Sequence, residues 1–273
     1  MRIRASGRNM SLPKNEKTTL LLASLSLPPA RQLADVARER SWKIEVLDDG
    51  PERPVEGPRT YFGGSDQAMR YAARYDLCLI EPPIDLLAQP PAELLCRPVR
   101  FGRLSELRDL EGPIFVKPAD PVHKVFDAGV YRAVRDVRGR QSIPADTPIL
   151  VSAPVEWTSE FRCFICEGRI EAWSPYLSFG RPVWKPRCAA ATPANLVSFC
   201  ERLIHAMDRH LPPGFVVDIG VLEDGRWAVV EFNPAWCAAI LGADPARVLE
   251  VVQRAALWRR AASPDDLQWA RSD

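Results

Sequence analysis

The segment FVVDIGVLEDGRWAVVEFNPAW, residues 215–236, constrains the fold of this chain more than any other stretch. An Asp-Gly dipeptide at 224–225 separates two valine-rich runs, which is typical of a β-hairpin closed by a two-residue loop. With that loop, the register places Asp218 directly opposite Glu231. Because like charges that face each other across an antiparallel pair are destabilising, we expect a cation to offset their repulsion.

Side chains alternate across a strand, so the predicted hairpin has two different faces. One face brings Asp218, Glu231 and Asn233 together at the open end of the hairpin. Hard oxygen ligands of this kind suit Mg²⁺ or Mn²⁺, so the sequence predicts a metal site, with a solvated strand end as the alternative. The other face is wholly apolar and is expected to be core: Val217, Ile219, Val221, Ala228, Val230 and Phe232.

The composition argues against several classes of protein. The 273 residues can form one large domain or two modest ones, and a formal net charge of +1 gives no sign of a nucleic-acid or membrane partner. No apolar run is long enough to span a membrane. The seven cysteines are odd in number and scattered, which indicates reduced thiols in a cytoplasmic protein rather than disulfides or a zinc site.

The order of predicted elements divides the chain into an α/β half and a strand-rich half. Residues 1–17 are basic and polar and are expected to form a disordered extension. A strand, a helix and a second strand then make a βαβ unit, and the texture changes near residue 100 to strands with turns. The predicted elements are strands at 18–27, 43–49 and 77–83 and helices at 29–41, 65–76, 192–211 and 244–262.

Two lysines flank a loop in the strand-rich half. Lys117 ends the apolar strand of IFVKPAD, and Lys124 follows it in HKVFDAGVY. Lysines at both ends of one loop suit the binding of polyphosphate, and the alternative is a pair of solvated charges. The sequence contains no G-x-x-x-x-G-K-[ST] loop, which excludes a P-loop fold.

A second predicted hairpin, PVEWTSEFRCFICEGRIEAW, carries another polar pair. Its Glu-Gly turn at 167–168 places Glu160 and Arg162 on one face of a strand. Either these side chains pair with each other, or Arg162 holds phosphate oxygens in a fork while Glu160 orients it or contacts a nucleotide. The residues alone leave both alternatives open.

This order of features resembles the ATP-grasp superfamily: a strand-borne lysine, the segment ILVSAPVEW, Glu-x-Arg, an aspartate on one strand and Glu-x-Asn on the next. The resemblance covers roughly residues 97–252 and is most specific at EFRCF and VVDIGVLEDGRWAVVEFNPAW. With RTYFGG, LIEPP, FVKPAD and GADPARVLEVV included, the pattern looks like a bacterial branch of predicted amide ligases. It is also distantly similar to a eukaryotic ATP-grasp chaperone that assembles a translation initiation factor.

The resemblance implies an α+β fold in which two α+β lobes clasp ATP, preceded by an α/β pre-ATP-grasp domain on the substrate side. The implied boundaries are 18–100 for the α/β domain, 101–262 for the ATP-grasp domain, about 111–152 for its lid lobe, about 153–262 for its metal-binding lobe and 263–273 for a tail.

The resemblance also implies roles for individual residues around ATP. Lys117 and, as a weaker candidate, Lys124 would contact the phosphates, Glu160 would contact the nucleotide, and Lys117 and Arg162 would act in catalysis. The superfamily's upstream lysine is missing, and Arg97 or Arg100 would replace it. The hinge that carries adenine would be Ala153, Pro154, Val155 and Glu156, and the Mg²⁺ or Mn²⁺ ligands would be Asp218, Glu231 and Asn233.

The function that the resemblance implies is ATP- and Mg²⁺-dependent ligation of a carboxylate to an amine through an acyl phosphate. The substrates would be small molecules or peptides, and neither nucleic acid nor membrane is expected as a partner. The alternatives are a non-catalytic ATP-binding assembly factor and a small-molecule kinase on the same fold. Candidate substrate contacts lie in SFGRPVWKPRC, where a flexible charged loop is the alternative: Arg181, Lys185 and Arg187.

Overall fold

The computed structural model describes residues 18–47, 54–139, 142–178, 180–182 and 192–271. The predicted extension at 1–17 and the candidate residues Lys185 and Arg187 lie outside these ranges. The six cysteines within them are free thiols, as predicted. In this part of the chain, no helix combines the length and the apolar character that a membrane crossing requires.

The N-terminal part of the chain forms a small α/β unit. Its elements are β1 (Thr19–Leu22), α1 (Pro28–Glu39), β2 (Lys43–Val46), β3 (Arg59–Phe62), α2 (Ala68–Arg74), β4 (Leu77–Leu79) and α3 (Ala92–Leu95). The central strand β1 pairs in parallel with β2 on one side and with β3 on the other. Parallel neighbours need a crossover connection, and α1 supplies it between β1 and β2, which confirms the predicted βαβ unit.

The next segment forms a sheet of four antiparallel strands, here called the lid sheet. Its strands are β5 (Val99–Arg103), β6 (Glu111–Pro118), β7 (Gly129–Ala133) and β8 (Pro148–Ser152), in the order β5-β8-β6-β7. It has its own small core, which includes Val116, Phe126 and Val151. Lys117 lies at the end of β6, next to the loop that contains Lys124.

The segment from Trp157 to Asn233 builds a larger antiparallel sheet, here called the central sheet. Its strands are β9 (Trp157–Cys166), β10 (Arg169–Ser178), β11 (Arg181–Pro182), β12 (Gly214–Leu222) and β13 (Trp227–Asn233), in the order β11-β10-β9-β12-β13. Helix α4 (Pro193–Met207) precedes β12 in the chain. Helix α4 packs one apolar stripe onto this sheet, and the buried stripe is the predicted one: Leu196, Phe199, Leu203 and Met207.

The C-terminal segment returns to the N-terminal unit. It contains α5 (Pro245–Ala255), β14 (Ala256–Trp258) and α6 (Pro264–Leu267). The prediction of one helix over 244–262 is wrong, because the chain turns extended at Ala256 and pairs antiparallel with β4. Helix α5 contributes to the same core as β1, β3 and the central-sheet residues Phe164 and Val216, so the N-terminal unit and the central sheet are packed as one body.

The hairpin of β12 and β13 differs from its prediction in one instructive way. The loop has three residues, 223–225, closed by a 2.9 Å hydrogen bond from Leu222 N to Arg226 O, with Gly225 at a φ of 82°. Trp227 therefore pairs with Val221. A two-residue loop would have paired Trp227 with Leu222. A β-bulge at Val230 adds one residue to β13 and restores the predicted opposition of Asp218 and Glu231.

The three-residue loop also changes which valine of β13 enters the core. Ile219 is opposite Val229, so Val229 is fully buried beside it. Val230, which the predicted two-residue loop would place opposite Ile219, is only half-buried. The predicted apolar face is therefore right for Val217, Ile219, Val221 and Phe232. It is wrong for Val230 and for Ala228, which is buried but lies opposite Gly220 on the other face.

Candidate functional site

Three polar side chains converge at the open end of the β12–β13 hairpin. Asp218 is opposite Glu231, and the Asn233 amide Nδ2 donates to Glu231 Oε1 at 3.1 Å and to Asp218 Oδ2 at 3.4 Å. Asp218 is fully buried in the middle of β12, between β9 and β13, so the alternative of a solvated strand end is wrong for this residue. The structure thus brings the three predicted ligand side chains together, with the amide nitrogen of Asn233 facing the two carboxylates.

Each of the two carboxylates has a cationic partner. The guanidinium of Arg162 forms a fork on Asp218, with Nε to Oδ1 at 2.9 Å and Nη2 to Oδ2 at 2.7 Å. The ammonium of Lys117, on the lid sheet, donates to Glu231 Oε2 on the central sheet. The repulsion predicted from the hairpin register is therefore offset by two cations, and the Lys117–Glu231 pair joins the two sheets.

The two carboxylates differ in their acidity. Burial raises the pKa of Asp218 to about 6, even though the charge of Arg162 opposes the shift. Burial acts in the same direction on Glu231, but the charge and hydrogen bond of Lys117 outweigh it and lower the pKa of Glu231 to about 2. Glu231 is therefore the carboxylate that stays ionised across the whole physiological pH range.

Glu160 and Arg162 do not pair with each other. The buried Glu160 carboxylate accepts a 2.7 Å hydrogen bond from the Tyr176 hydroxyl, while the Arg162 guanidinium lies 5.5 Å from the centre of the Tyr176 ring. Tyr176 thus stands between the two side chains that the sequence suggested as direct partners. The alternative in which Glu160 and Arg162 form an ion pair is wrong, and the predicted contact of Glu160 with the nucleotide remains a prediction.

Tyr176 could not be recognised from the sequence because of a β-bulge. In the pairing of β10 with β9, the register shifts between Pro175 and Leu177, and Tyr176 is the extra residue. The extra residue of a bulge departs from regular alternation. The proline in the middle of the strand was the available signal, since proline within a sheet marks an edge or a bulge.

Burial of Glu160 has a consequence for pH dependence. Burial raises the pKa of this carboxyl from 4.5 to about 7, and the Tyr176 hydrogen bond only partly opposes the shift. The folded protein therefore holds this proton more tightly than the unfolded chain. The stabilisation is fully present below pH 4.5 and is lost as the pH rises through about 7.

We expect Glu160→Gln to remove this pH dependence. Between pH 4.5 and 8, the free energy of unfolding of the wild type should fall, relative to that of the variant, by up to roughly 3 kcal/mol. Urea denaturation across this range measures the difference. Glu156→Gln, at an exposed position, is the matched control and should follow the wild type. Parallel profiles for wild type and Glu160→Gln would contradict the assigned burial effect.

The other predicted nucleotide contacts lie around this cluster. Ala153, Pro154, Val155 and Glu156 form an irregular, largely exposed connection between β8 of the lid sheet and β9 of the central sheet, where a hinge is expected. Arg100, on β5, and Lys124 are exposed. Arg181, on β11, is exposed as well. The roles predicted for these residues remain predictions.

Arg97 is not available as a phosphate ligand in the way that its position upstream of Lys117 suggests. Its guanidinium donates to the backbone oxygens of Leu95 at 3.0 Å, Val229 at 2.8 Å and Val230 at 3.3 Å. Of the two candidates for replacing the missing lysine, Arg97 thus bonds to backbone oxygens, whereas Arg100 is exposed on β5.

A partly buried ionic network that the sequence did not reveal lies beside the Lys124 loop. The Arg271 side chain is only 8% exposed, and its Nη1 donates to both carboxylate oxygens of Glu81 at 2.7 and 2.9 Å. Its Nη2 lies 2.8 Å from Asp120 Oδ2 and 2.8 Å from His123 Nδ1. Arg271 thereby ties the loop that follows Lys117 to the N-terminal unit. These residues are far apart in sequence, so no local pattern could predict the contact.

The donor set at the hairpin fits a hard divalent cation. Two carboxylates and one amide oxygen are ligands that Mg²⁺ accepts, and Mg²⁺ commonly completes its shell with water and phosphate oxygens. Among the described residues there is no group of three or more His, Cys, Asp or Glu side chains that could hold a metal. A cation at Asp218, Glu231 and Asn233 would need further oxygen ligands beside these three side chains.

Comparison with known proteins agrees with the observed fold. Residues 94–251 match the family described as "ATP-grasp domain, R2K clade family 2". No curated protein matches the sequence. Among solved structures, the D-cycloserine synthetase DcsG is 15% identical, with a TM-score of 0.52 over 86% of this chain and 98% of that one. At this identity the similarity concerns the fold alone.

Two further solved structures align over similar lengths. The RimK domain protein ATP-grasp from Sphaerobacter thermophilus DSM 20745 is 14% identical, with a TM-score of 0.46 over 86% of this chain and 97% of that one. The macrocyclase MdnC bound with precursor peptide MdnA, from Microcystis aeruginosa MRC, is 12% identical, with a TM-score of 0.48 over 86% and 99% of the two chains.

Proposed function

Because the chain belongs to the ATP-grasp superfamily, as a member of R2K clade family 2, we propose that it is an ATP- and Mg²⁺-dependent ligase that joins a carboxylate to an amine. The observation that carries the proposal is the pairing of Lys117 with Glu231 and of Arg162 with Asp218 where the lid sheet meets the central sheet. Such paired charges suit a triphosphate and its metal, because each partner can be exchanged for a phosphate oxygen or a cation.

ATP would lie between the two sheets. Adenine would rest against the connection at 153–156, and the triphosphate would extend toward Lys117 and Arg162. Within the described residues, three of the five N–H groups of Arg162 have acceptors, two on Asp218 and one on Ala239 O at 3.3 Å. Arg162 would therefore reach a phosphate without releasing Asp218. Lys117 would instead leave Glu231 for a phosphate oxygen.

Release of Glu231 by Lys117 would complete the metal ligands. Asp218, Glu231 and Asn233 would hold Mg²⁺, which supplies charge neutralisation at the transferring phosphoryl group. Glu231 is already ionised before this exchange, because the charge and hydrogen bond of Lys117 lower its pKa to about 2. The protein contributes positioning and fixed charge, which are the main catalytic terms for phosphoryl transfer.

The proposed reaction has two steps. In the first, a substrate carboxylate oxygen attacks the γ-phosphorus, and the bond from that phosphorus to the β–γ bridging oxygen breaks. The products of this step are an acyl phosphate and ADP. In the second, an amine nitrogen attacks the acyl carbon, the carbon–oxygen bond to phosphate breaks, and the nitrogen loses a proton to give an amide. The acid and the amine are small molecules or peptides, and Arg181, Lys185 and Arg187 are the proposed contacts for the acid.

Trapping with hydroxylamine tests the proposed reaction. Purified protein, Mg²⁺ and ATP are incubated with a panel of amino acids, dicarboxylic acids and short peptides, with and without hydroxylamine. A ligase releases ADP and forms a hydroxamate with its acid substrate. A kinase releases ADP with a stable phosphorylated product and no hydroxamate. A non-catalytic assembly factor releases little ADP with any member of the panel, and either of these two results contradicts the proposal.

A further inference from the structure

The Arg97 guanidinium lies against the edge of the central sheet at the β13 bulge. It donates to the backbone oxygen of Val230, the bulge residue, at 3.3 Å and to that of Val229, the residue before it, at 2.8 Å. Neighbouring carbonyls along a regular strand point in opposite directions, so a single side chain reaches both only where the strand is distorted. Arg97 is thus matched to the bulge and not to a regular edge strand.

The bulge decides where Glu231 points. The hairpin loop pairs Ile219 with Val229, and a regular ladder would continue by pairing Asp218 with Val230. Glu231 would then lie on the opposite face of the sheet, because a shift of one residue reverses the face of every side chain that follows. The extra residue at the bulge returns Glu231 to the face of Asp218, next to Lys117.

A second contact holds Arg97 in place. Its guanidinium lies 5.2 Å from the centre of the Trp157 ring, and that indole packs closely over Gly220. A Cβ added at Gly220 would lie 2.2 Å from Trp157 Cε3, so only glycine leaves room for the ring there. Trp157, Gly220 and Arg97 therefore form a stack that ends on the bulge.

The chemistry of Arg97 also indicates a specific task. Burial lowers the pKa of Arg97 to about 10, and no carboxylate among the described residues pairs with it. A partly buried guanidinium bonded only to backbone oxygens is costly to keep. Arginine presents a rigid fork of N–H donors, whereas lysine presents a single nitrogen that cannot span two separated carbonyls in the same way.

We propose that Arg97 is a positioning residue that holds the β13 bulge and thereby keeps the Glu231 carboxylate beside Asp218. This inference rests on the proposed function, in which Glu231 holds the metal that accompanies ATP. Arg97 itself contacts neither metal nor nucleotide. Its loss should weaken metal binding at Asp218 and Glu231 while leaving the fold and the metal-free contacts of the nucleotide in place.

The test compares three variants with the wild type. Arg97→Met keeps an apolar stem on Trp157 and removes the fork, and Arg97→Lys keeps the charge and replaces the fork by one nitrogen. Cys96→Ala is the matched control, because Cys96 Sγ contacts Trp227 O on the same strand edge at 3.6 Å but outside the bulge. Urea denaturation of each protein gives its free energy of unfolding, so that binding is measured where all are folded.

Mn²⁺ is the probe, and its affinity is measured by electron paramagnetic resonance with a non-hydrolysable ATP analogue present. We expect Arg97→Met to bind Mn²⁺ at least tenfold more weakly, since residues that orient metal ligands typically contribute 10–100-fold to affinity. Arg97→Lys should recover only part of the loss. Cys96→Ala should match the wild type, and calorimetry in EDTA should give all four proteins the same affinity for the analogue.

Three results would overturn the inference: Mn²⁺ affinity of Arg97→Met within twofold of the wild type, full recovery in Arg97→Lys, or an equal loss in Cys96→Ala. If Arg97→Met does not fold, Arg97→Lys decides alone, with a loss of at least threefold expected and wild-type affinity contradicting the inference. Failure of the wild type to bind Mn²⁺ with the analogue would instead reject the proposed function, and the inference with it.

Discussion

Replacing Glu231 with Gln is expected to lower Mg²⁺- and ATP-dependent turnover by roughly 10²–10³, the usual effect of removing one preorganised electrostatic element from a site of charge transfer. The substitution keeps the shape of the side chain and removes one negative ligand. Lys117 then has no carboxylate to exchange for phosphate, and the metal keeps only Asp218 and Asn233. ADP formation by wild type and variant at saturating ATP measures the effect.

Glu223→Gln provides the matched control for this experiment. Glu223 lies in the exposed loop of the same hairpin, so its replacement makes the same chemical change away from the cluster. Its turnover should equal that of the wild type. If Glu231→Gln retains turnover within a few-fold at ordinary Mg²⁺ concentrations, Glu231 is not a metal ligand and the reason given for the opposed carboxylates is wrong.

The structure changes what is expected for the stability of Glu231→Gln without nucleotide. From the sequence alone, removal of a charge from two opposed carboxylates should leave the free protein no less stable. In the structure Glu231 accepts a hydrogen bond from the largely buried ammonium of Lys117, which the substitution leaves without its carboxylate. We therefore expect a loss of about 1–2 kcal/mol in the free energy of unfolding, because hydrogen bonds to charged groups are stronger than neutral ones.

The largest effect on stability is expected for Arg271→Ala. This substitution leaves the carboxylates of Glu81 and Asp120 close together without their shared guanidinium. Burial raises the pKa of Glu81. Burial acts the same way on Asp120, but the hydrogen bonds and charge of Arg271 help to lower its pKa to about 2. Removing one partner of a buried ion pair typically costs about 3–5 kcal/mol. Because Glu81 and Asp120 keep some contact with solvent, we expect a loss at the lower end, about 3 kcal/mol.

Urea denaturation measures this loss, and Arg226→Ala is its control. The ion pair of Arg226 with Asp224 is exposed on both sides, so its loss should change the free energy of unfolding by less than about 1 kcal/mol. Because Arg271 ties the loop after Lys117 to the N-terminal unit, Arg271→Ala should also weaken ATP binding. Equal, small losses in the two variants would show that the Arg271 network contributes no more than a surface ion pair.

The parts of this fold that the sequence predicted are those with local patterns. The βαβ unit, the stripe of α4 and the convergence of Asp218, Glu231 and Asn233 follow from alternation, helical spacing and turn chemistry. The hairpin is informative, because its loop length was predicted wrongly and the bulge at Val230 cancels the error. The predicted opposition of the two carboxylates is thus correct, although the prediction included neither the third loop residue nor the bulge.

The parts that the sequence did not predict depend on contacts between distant segments. The fork of Arg97 on the bulge, the insertion of Tyr176 between Glu160 and Arg162, and the network around Arg271 all join elements that are neighbours only in the folded chain. The early end of α5 has the same origin, because Ala256 leaves the helix to pair with β4. Helical spacing continues past this point, so tertiary pairing overrides the local preference.

The measurement that tests the central claim most directly is the melting temperature of the wild type with ATP, with Mg²⁺, with both, and with neither. A ligand that binds only the folded state stabilises it by about 2.7 kcal/mol at a concentration 100 times its Kd. For the wild type, we predict a clear rise in melting temperature with Mg²⁺ and ATP together and a smaller rise with ATP in EDTA. For Glu231→Gln, adding Mg²⁺ to ATP should raise the melting temperature hardly more than ATP in EDTA does. No rise for folded wild-type protein at millimolar Mg²⁺ and ATP would contradict the account.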